Sequence, residues 1–407
     1  MIDCSINFIR IVEYIKRILL NRLACTFLFL FILCAGCFPL PAVFHRYDYH
    51  DPDENRFDLY QESGDWIYIL KDDHTVLIVD YTGSGGDVVI PSSIRGYPVT
   101  ALGGRLFCWA PIHDVPEIRS VFIPDTITFI DSTVFNSLDE GSGCNVETMR
   151  VAESNPVYEV YGGGLYNKKE KSLHTCILSE SDRSGIFTVK DGTEILGPHS
   201  IKISVFEEIY LPDTLKEIAD SAFEYDFHPG DTIMEIPRSV EKMPCKADWP
   251  SGLSVSPDNQ TYEITGNCIY NKKTQTLLSA LNTNQRTYAI KPGTRRIEDY
   301  AFGFCGSLEA IDIPPTITAI GQNAFAGCEK LSSVTLPEGL RTIGDYAFTN
   351  CESLKYIQIP ETVVGIGAYA FEDCTGLTVS EIPAGVTFIG AGAFPCEVSI
   401  AKENQIP

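Results

Sequence analysis

The sequence is short of positive charge: 31 lysines and arginines stand against 54 aspartates and glutamates, for a formal charge of −23 at pH 7. The imbalance is larger after residue 37, because four of the basic residues precede that point. A surface of this sign repels the phosphates of nucleic acids and is poorly attracted to anionic membranes. Composition therefore argues against nucleic acid as the main partner.

Motifs of catalysis and metal binding are also lacking. The chain has no Gly-x-Ser-x-Gly nucleophile motif and no phosphate-binding glycine loop before a helix. After residue 37 it has no Cys-x-x-Cys pair, and no histidine follows His228. We therefore predict that the protein is not an enzyme and uses no metal and no cofactor.

A long uncharged apolar run is present only near the amino terminus, from Leu23 to Phe44. Basic residues precede it, and its densest part, 23–33, is shorter than the roughly 20 residues that span hydrocarbon. Small residues before Cys37 resemble the lipobox of bacterial lipoproteins, whose cysteine is acylated. We predict a lipoprotein-like signal peptide over 1–37 with Cys37 as the lipid anchor. Ordinary signal cleavage and an uncleaved membrane anchor are the alternatives, and all three export the rest of the chain.

Residues 38–64 are predicted to form an acidic, solvated linker. Asp51, Asp53, Asn55 and Glu62 have the spacing of EF-hand calcium ligands. Arg56, however, stands where the sharp turn of that loop needs glycine, so the linker interpretation is preferred.

Most of the remaining chain is an array of repeats. The pair Ala-Phe recurs every 23 residues from 301–302 to 393–394, and an aliphatic residue before proline recurs at the same period from Ile313-Pro314 onward. Cysteine follows the first four pairs at a constant distance, as Cys305, Cys328, Cys351 and Cys374. One unit is too small to fold alone, so the units are expected to stack into a solenoid.

The spacing within a unit predicts its local structure. Ile311 and Ile313 alternate as in a short strand, which Pro314 ends. Ile317 and Ile320, three residues apart, predict a turn-like or short helical return. The glycine after Ile320 is replaced in other units, which indicates tight packing rather than a required positive φ. The predicted fold class is α/β: a repeat solenoid with a parallel β-sheet on one side.

Two inserted segments match each other at an offset of 104 residues, Asn155–Lys169 and Asn259–Lys273. Alternating apolar residues around glycines predict β-hairpins there. The predicted organisation continues with an amino-terminal β cap and first repeat at 65–118. Irregular repeats with the first hairpin follow at 119–258, then the second hairpin and the regular repeats at 259–407. Asn259-Gln260-Thr261 is also a glycosylation sequon.

The 23-residue unit, the cap and the Asn…Tyr…Leu-Tyr-Asn hairpins resemble the BspA-like (Bacteroides surface antigen type) leucine-rich repeat proteins over about residues 65–396. The resemblance implies a leucine-rich repeat solenoid. It also implies a protein that is exported, attached to the cell surface or outer membrane or secreted, and active in adhesion to host matrix proteins or other bacteria. Residues 227–258 depart from the pattern, because Ile236-Pro237 is not followed by an Ala-Phe pair.

The four regularly spaced cysteines are predicted to form a ladder of buried thiols. Side chains in register on parallel strands point the same way, which disfavours disulfides between them. The irregularly placed cysteines leave occasional disulfides open, since the protein is expected to be exported.

The side chains that differ most between units are expected to face solvent on the strands. Exposed aromatic rings beside small polar residues favour recognition of a partner. We predict binding of host matrix or bacterial surface proteins there; the alternative is a structural scaffold of the cell envelope without a host partner. The predicted partner-binding residues are Phe122, Tyr210, Asp312, Thr335, Tyr356 and Gln358.

Overall fold

The structure is a computed structural model that describes residues 60–104, 106–107, 117–135, 146–177, 185–202, 206–223, 232–245, 249–250, 252–281, 284–379 and 381–395. These residues form 31 β-strands and no helix, and hence no helix that could cross a membrane. The segment 1–37, with Cys37, and residues 38–59 lie outside the described residues.

The strands divide into three modules, of which the first covers residues 60–151. One sheet has the order β1-β2-β3-β6-β5 with β8 paired to β6, and the other has the order β4-β7-β9. The first strand lies within the last residues of the segment that the sequence assigned to the linker. The strands are β1 (Tyr60–Ser63), β2 (Trp66–Leu70), β3 (Val76–Tyr81), β4 (Gly86–Val89), β5 (Ser93–Ile94), β6 (Tyr97–Leu102), β7 (Ile118–Ile123), β8 (Phe129–Ile130) and β9 (Val146–Val151).

The second module, residues 155–255, also contains two sheets, with the orders β10-β11-β12-β14-β16 and β13-β15-β17-β18. Its strands are β10 (Tyr158–Tyr161), β11 (Gly164–Asn167), β12 (Ser172–Cys176), β13 (Ile186–Thr188), β14 (Ile195–Leu196), β15 (Glu208–Tyr210), β16 (Glu217–Ile218), β17 (Ile233–Ile236) and β18 (Gly252–Val255).

The third module, residues 259–395, holds the regular repeats. One sheet has the order β19-β20-β21-β23-β25-β27-β29-β31, and two smaller ones are β22-β24-β26 and β28-β30. The strands are β19 (Tyr262–Thr265), β20 (Cys268–Asn271), β21 (Thr276–Ala280), β22 (Thr287–Ala289), β23 (Arg296–Ile297), β24 (Ala310–Asp312), β25 (Ala319–Ile320), β26 (Ser333–Val334), β27 (Thr342–Ile343), β28 (Tyr356–Ile357), β29 (Gly365–Ile366), β30 (Thr378–Val379) and β31 (Phe388–Ile389).

Each regular turn contributes one short strand to each of two rows. We call the strand before the first bend of each turn, with the residues next to it, the front row (β4, β7, β9, β13, β15, β17, β18, β22, β24, β26, β28 and β30). The strand after that bend, with the residues next to it, belongs to the back row. Proline lies at this bend in the regular turns, whereas the bend after β13 has none. Parallel pairing joins equivalent residues of successive turns: Ile311 pairs with Val334 in front, and Ile320 pairs with Ile343 behind. The 23-residue period is therefore the length of one complete turn of the solenoid.

The α/β class predicted from the sequence is wrong for the described residues, and so is the single-sided sheet. The amide of Ile317 donates to the carbonyl of Pro314 at 3.1 Å, which closes a turn. The chain then extends at once into β25, so the spacing of Ile317 and Ile320 marks a turn followed by a strand. The segment is far shorter than the 12 or so residues that stabilise an isolated helix.

A third side of each turn contains the Ala-Phe pair. The amide of Phe302 donates to the carbonyl of Ala324 at 2.7 Å, and the same ladder continues through the following turns. The rings of neighbouring turns stack 5.0–5.3 Å apart with interplanar angles of 2–8°. The stacked rings are Phe302, Phe325, Phe348, Phe371 and Phe394.

The glycine after the second isoleucine packs against the preceding turn, as predicted. A Cβ on Gly321 would lie 2.6 Å from the backbone nitrogen of Asp299, and one on Gly344 would lie 2.6 Å from that of Gln322. Neither glycine has a positive φ. Close approach of backbones, rather than backbone conformation, therefore selects glycine here.

Both predicted hairpins are confirmed. Strands β10 and β11 pair antiparallel around Gly162-Gly163, and β19 and β20 pair antiparallel around Gly266-Asn267. All four turn residues have positive φ, as a type I′ hairpin turn requires. Each hairpin adds a third strand and then continues into the back row of its module.

The predicted cap is a third copy of this element, a kinship that the sequence comparison missed. Strands β1, β2 and β3 form the same antiparallel meander at the start of the first module. A β-bulge lies beside Tyr68, and equivalent bulges lie beside Tyr166 and Tyr270. Each module thus begins with one meander.

Candidate binding surface

The front row alternates between buried and solvent-facing side chains. In β15, Ile209 is buried between Glu208 and the exposed Tyr210. In β24, Ile311 is buried while Asp312 is exposed. This alternation is the period of two that a strand imposes. The outward positions form what we call the front face.

The structure places the six predicted residues at outward positions of the front row. Four of them lie in strands of four separate sheets, whereas Thr335 and Gln358 directly follow β26 and β28. Tyr210 and Tyr356 are 50% and 54% exposed. Phe122 is half-buried and pairs with Val89 and Arg150. The remaining residues, Asp312, Thr335 and Gln358, are exposed.

These residues do not all occupy the same position on their strands. Asp312, Thr335 and Gln358 recur every 23 residues and form one column along the third module. Tyr356 is the first residue of β28 and belongs to the neighbouring column with Ser333. The front face therefore has two columns, and the predicted set draws on both.

The most apolar part of the described front face lies in the second module. Ile186 is 47% exposed and Ile233 is 57% exposed, on the two strands that flank β15. Sequence reasoning missed both residues because their units depart from the template. No Ala-Phe pair follows Ile236-Pro237, and the turn after Ile186 has neither that pair nor the aliphatic-Pro pair. The alternation Ile233-Met234-Glu235-Ile236 before Pro237 was the signal that could have found β17.

Charge on the front face differs between modules. In the first module Arg119 pairs with Asp87 at 3.0 Å, so cations and carboxylates are mixed. In the second module β13, β15, β17 and β18 contain two carboxylates, Glu208 and Glu235, and neither lysine nor arginine. A hydrogen bond to Glu208 raises the pKa of the Tyr210 hydroxyl.

The regularly spaced cysteines form a buried ladder, as predicted. Cys328 Sγ donates to the carbonyl of Phe302 at 3.2 Å, and Cys374 Sγ donates to that of Phe348 at 3.0 Å. Burial raises the pKa of Cys305 to about 12, which keeps the thiol protonated. No disulfide joins the cysteines of the described residues; Cys108, Cys144 and Cys396 lie outside them.

The hairpins connect neighbouring modules. Asn259 is fully buried, and its side-chain amide donates to the carbonyls of Pro237 and Val240 and accepts from the amides of Thr261 and Tyr262. Asn155 makes the same four contacts one module earlier. The amide of the sequon is therefore inaccessible to glycosylation in the folded chain.

Tyrosines of the same hairpins reach across the module boundaries. The hydroxyl of Tyr158 accepts from the amide of Ile130 at 2.9 Å, and that of Tyr262 accepts from the amide of Met243 at 3.0 Å. The hydroxyl of Tyr270 accepts from the amide of Lys291 on the following turn at 3.0 Å. The hydroxyls of these hairpin tyrosines thus form hydrogen bonds with neighbouring modules and turns of the solenoid.

Catalytic and metal-binding arrangements do not emerge from the described residues. No group of three or more histidine, cysteine, aspartate or glutamate side chains could hold a metal ion there. His174 lies at the boundary of the first two modules, with its Nε2 atom buried and without a hydrogen-bond partner. Burial lowers its pKa to about 4, and its ring meets the edge of Tyr158.

Comparison with protein families identifies the repeat. Residues 282–405 match the family described as "BspA type Leucine rich repeat region", in six copies. Proteins built from this repeat are typically not enzymes. No curated protein matches the chain.

Several solved structures are similar to this one. A leucine rich cell surface protein from Faecalibacterium prausnitzii is 23% identical, covering 84% of this chain and 95% of its own, with a TM-score of 0.47. The pneumococcal vaccine antigen PcpA is 17% identical, covering 82% of this chain and 85% of its own, with a TM-score of 0.45. A leucine-rich repeat protein from Eubacterium ventriosum is 17% identical, covering 85% of this chain and 96% of its own, with a TM-score of 0.33.

Proposed function

We propose, from the BspA type leucine-rich repeats that residues 282–405 carry, that the chain is an exported bacterial surface protein that binds protein partners through its front face. The observation that carries the proposal is that two tyrosines of the front row are exposed, Tyr210 in the second module and Tyr356 in the third. Rigid rings contribute contact area at a low cost in conformational entropy, and they are frequent hot spots of interfaces.

The proposed partners are host matrix proteins or proteins of another bacterial surface, so that the protein acts in adhesion. The acidic surface of the chain disfavours nucleic acid as a competitor for the same face. Among the described residues, no group of three or more histidine, cysteine, aspartate or glutamate side chains could hold a metal ion. The exposed tyrosines of the front face favour binding as the activity.

Affinity capture of partner proteins tests this proposal. The full chain is immobilised and exposed to purified matrix proteins and to solubilised bacterial envelope fractions. We expect a protein that binds the wild type and is lost from a chain carrying Tyr210→Ala and Tyr356→Ala. A matched control, Thr342→Ala with Val364→Ala on the back row, should retain it. Equal capture by all three chains would refute the front face as the site.

The proposed export route is a lipoprotein signal with Cys37 as the acylated residue. Cells that express the chain are labelled with a palmitate analogue. The wild type and Cys34→Ala should incorporate the label, whereas Cys37→Ala should not. Equal labelling of the Cys37→Ala chain would refute the lipid anchor and leave export to the other signal types.

A further inference from the structure

We infer that the second module holds a receptor patch for a lysine or arginine side chain of the protein partner, with Glu208 as its acceptor. The patch consists of Ile186, Glu208, Tyr210, Ile233 and Glu235. The inference rests on the proposed function, because it assumes that the front face meets a protein.

Strand register builds the patch. Glu208 pairs with Ile186 on one side and with Ile233 on the other. Paired strands lie about 4.8 Å apart, so the two isoleucines stand roughly 10 Å apart with the carboxylate between them. Tyr210 lies two residues farther along the same strand and points to the same face.

This arrangement suits a long cationic side chain. Its methylene stem would pack between the isoleucines, as lysine and arginine stems commonly do on apolar surfaces. Its charged end would reach Glu208 and lie near the ring of Tyr210, which attracts cations through its π face. Apolar walls reduce screening by water and so strengthen the attraction between the two charges.

The charge of the surroundings supports the same chemistry. Within the described residues no lysine or arginine forms an ion pair with Glu207, Glu208 or Glu235. Some carboxylates elsewhere in this module are paired, as Glu194 is with both Lys171 and Lys216. Among the described residues, the carboxylates of Glu208 and Glu235 thus stand on the front face without a cation of the chain beside them.

The exposure of Ile186 and Ile233 is the second observation that favours a protein partner. At the corresponding first outward position of the third module, the turns carry Thr287, Ala310, Ser333 and Tyr356 instead. A spacer without a partner has no reason to expose two isoleucines on one sheet. A partner that brings both apolar contacts and a cation accounts for the isoleucines and the carboxylates together.

The test uses a random dodecapeptide library displayed on phage and selected against the immobilised full chain. Selected peptides should be enriched in lysine or arginine beside apolar residues. Synthetic copies should bind at least tenfold more weakly to Glu208→Gln with Glu235→Gln, and to Ile186→Ser with Ile233→Ser. Raising NaCl from 50 to 500 mM should also weaken their binding to the wild type.

Matched controls separate the patch from general charge and apolarity. Glu338→Gln with Glu361→Gln removes two exposed carboxylates outside the front row, and Val364→Ser removes an exposed apolar side chain from the back row. Both should leave the peptide affinity unchanged. All variants should have nearly the melting temperature of the wild type, because the side chains that change are exposed or, at Glu208, half-buried, and none lies in the core.

The inference is overturned if the library yields no binder, if the selected peptides show no excess of cationic residues, or if the patch variants bind them as the wild type does. None of these outcomes decides the proposed function, which the capture experiment tests separately with natural proteins. A captured partner that ignores the patch variants but is lost with Tyr356→Ala would overturn the patch alone.

Discussion

The third module repeats nearly one turn throughout, whereas the second module changes from turn to turn, and the two bury aromatic rings differently. Phe325, Phe348 and Phe371 stack almost parallel in the third module, with interplanar angles of 8° and 3°. In the second module Phe223 meets Trp249 edge-on at 63°. Identical neighbours allow a stack, while unlike neighbours must find their own geometry.

The front faces of the two modules differ as well: that of the third module is uniform, and that of the second is varied. The regular module shows mostly small polar side chains, whereas the irregular one shows Ile186, Ile233 and two carboxylates. In a solenoid each turn contacts only its neighbours, so a turn can change its surface without disturbing distant turns. The comparison teaches that irregularity in the core accompanies specialisation on the surface here.

The largest expected effect breaks the regular stack. Phe348→Ala should lower the free energy of unfolding by about 3–5 kcal/mol, because it empties a site between two rings. Phe206→Ala in the second module removes a ring that is tilted by 32° against Phe187 and lies outside the regular stack, so it should cost less. Urea unfolding measures both. A larger loss for Phe206→Ala would contradict the importance of the stack.

The next largest effect is expected at the hydrogen bonds between neighbouring modules. Asn259→Ala should cost about 3 kcal/mol, because it leaves buried backbone groups without their hydrogen-bond partners. Asn155→Ala should cost a similar amount, since its contacts are the same. Gln260→Ala, at the exposed neighbour, is the control and should stay within about 0.5 kcal/mol. If both asparagine variants had nearly the wild-type free energy of unfolding, these hydrogen bonds would not hold neighbouring modules together.

A pH scan distinguishes the boundary of the first two modules from the third module. His174 titrates near 6.5 when unfolded but has its pKa lowered to about 4 in the fold, so the unfolded chain takes up the proton first. Stability should therefore be complete above pH 6.5 and fall by up to about 3 kcal/mol as the pH drops toward 4. The third module contains no histidine.

His174→Gln should flatten that part of the pH profile of unfolding free energy. Amide hydrogen exchange should locate the loss at β8 and β12 and leave the regular turns protected. An equal slope in the variant would assign the acid sensitivity to carboxylates instead.

A smaller effect concerns the cysteine ladder. Cys328→Ala should cost on the order of 1–2 kcal/mol, because it opens a small cavity and removes the thiol donor to Phe302. Partner binding should persist in the folded variant. Stoichiometric zinc in the purified wild type that vanished in this variant would contradict a purely structural ladder.

The sequence predicted the features that depend on local spacing. Pro314, the Ala-Phe pairs and the hairpin glycines impose their conformations through nearby atoms, and the structure has them as expected. The α/β class was wrong, because the spacing of Ile317 and Ile320 fits both a helical turn and a tight turn before a strand, and the structure has the turn. Pairing with the next turn, a long-range contact, decides between them.

The candidate site was only partly predictable for the same reason. Tyr210, Tyr356 and Asp312 follow from alternation around a recognised core residue. Ile186 and Ile233 belong to turns whose sequence has drifted, so their strands became visible only through pairing with β15. The relation of the cap to the two hairpins was hidden for the same reason, since the cap has Tyr68-Ile69-Leu70 where both hairpins have Tyr-Asn-Lys.

The most direct test of the central claim is the affinity of a captured protein partner for the front face, measured by titration calorimetry. The account predicts that Tyr210→Ala with Tyr356→Ala weakens binding more than tenfold while the free energy of unfolding changes by less than about 0.5 kcal/mol for each substitution. The back-row pair Thr342→Ala with Val364→Ala should bind as the wild type does. Unchanged affinity in the tyrosine variant, with loss in the back-row pair, would contradict the account.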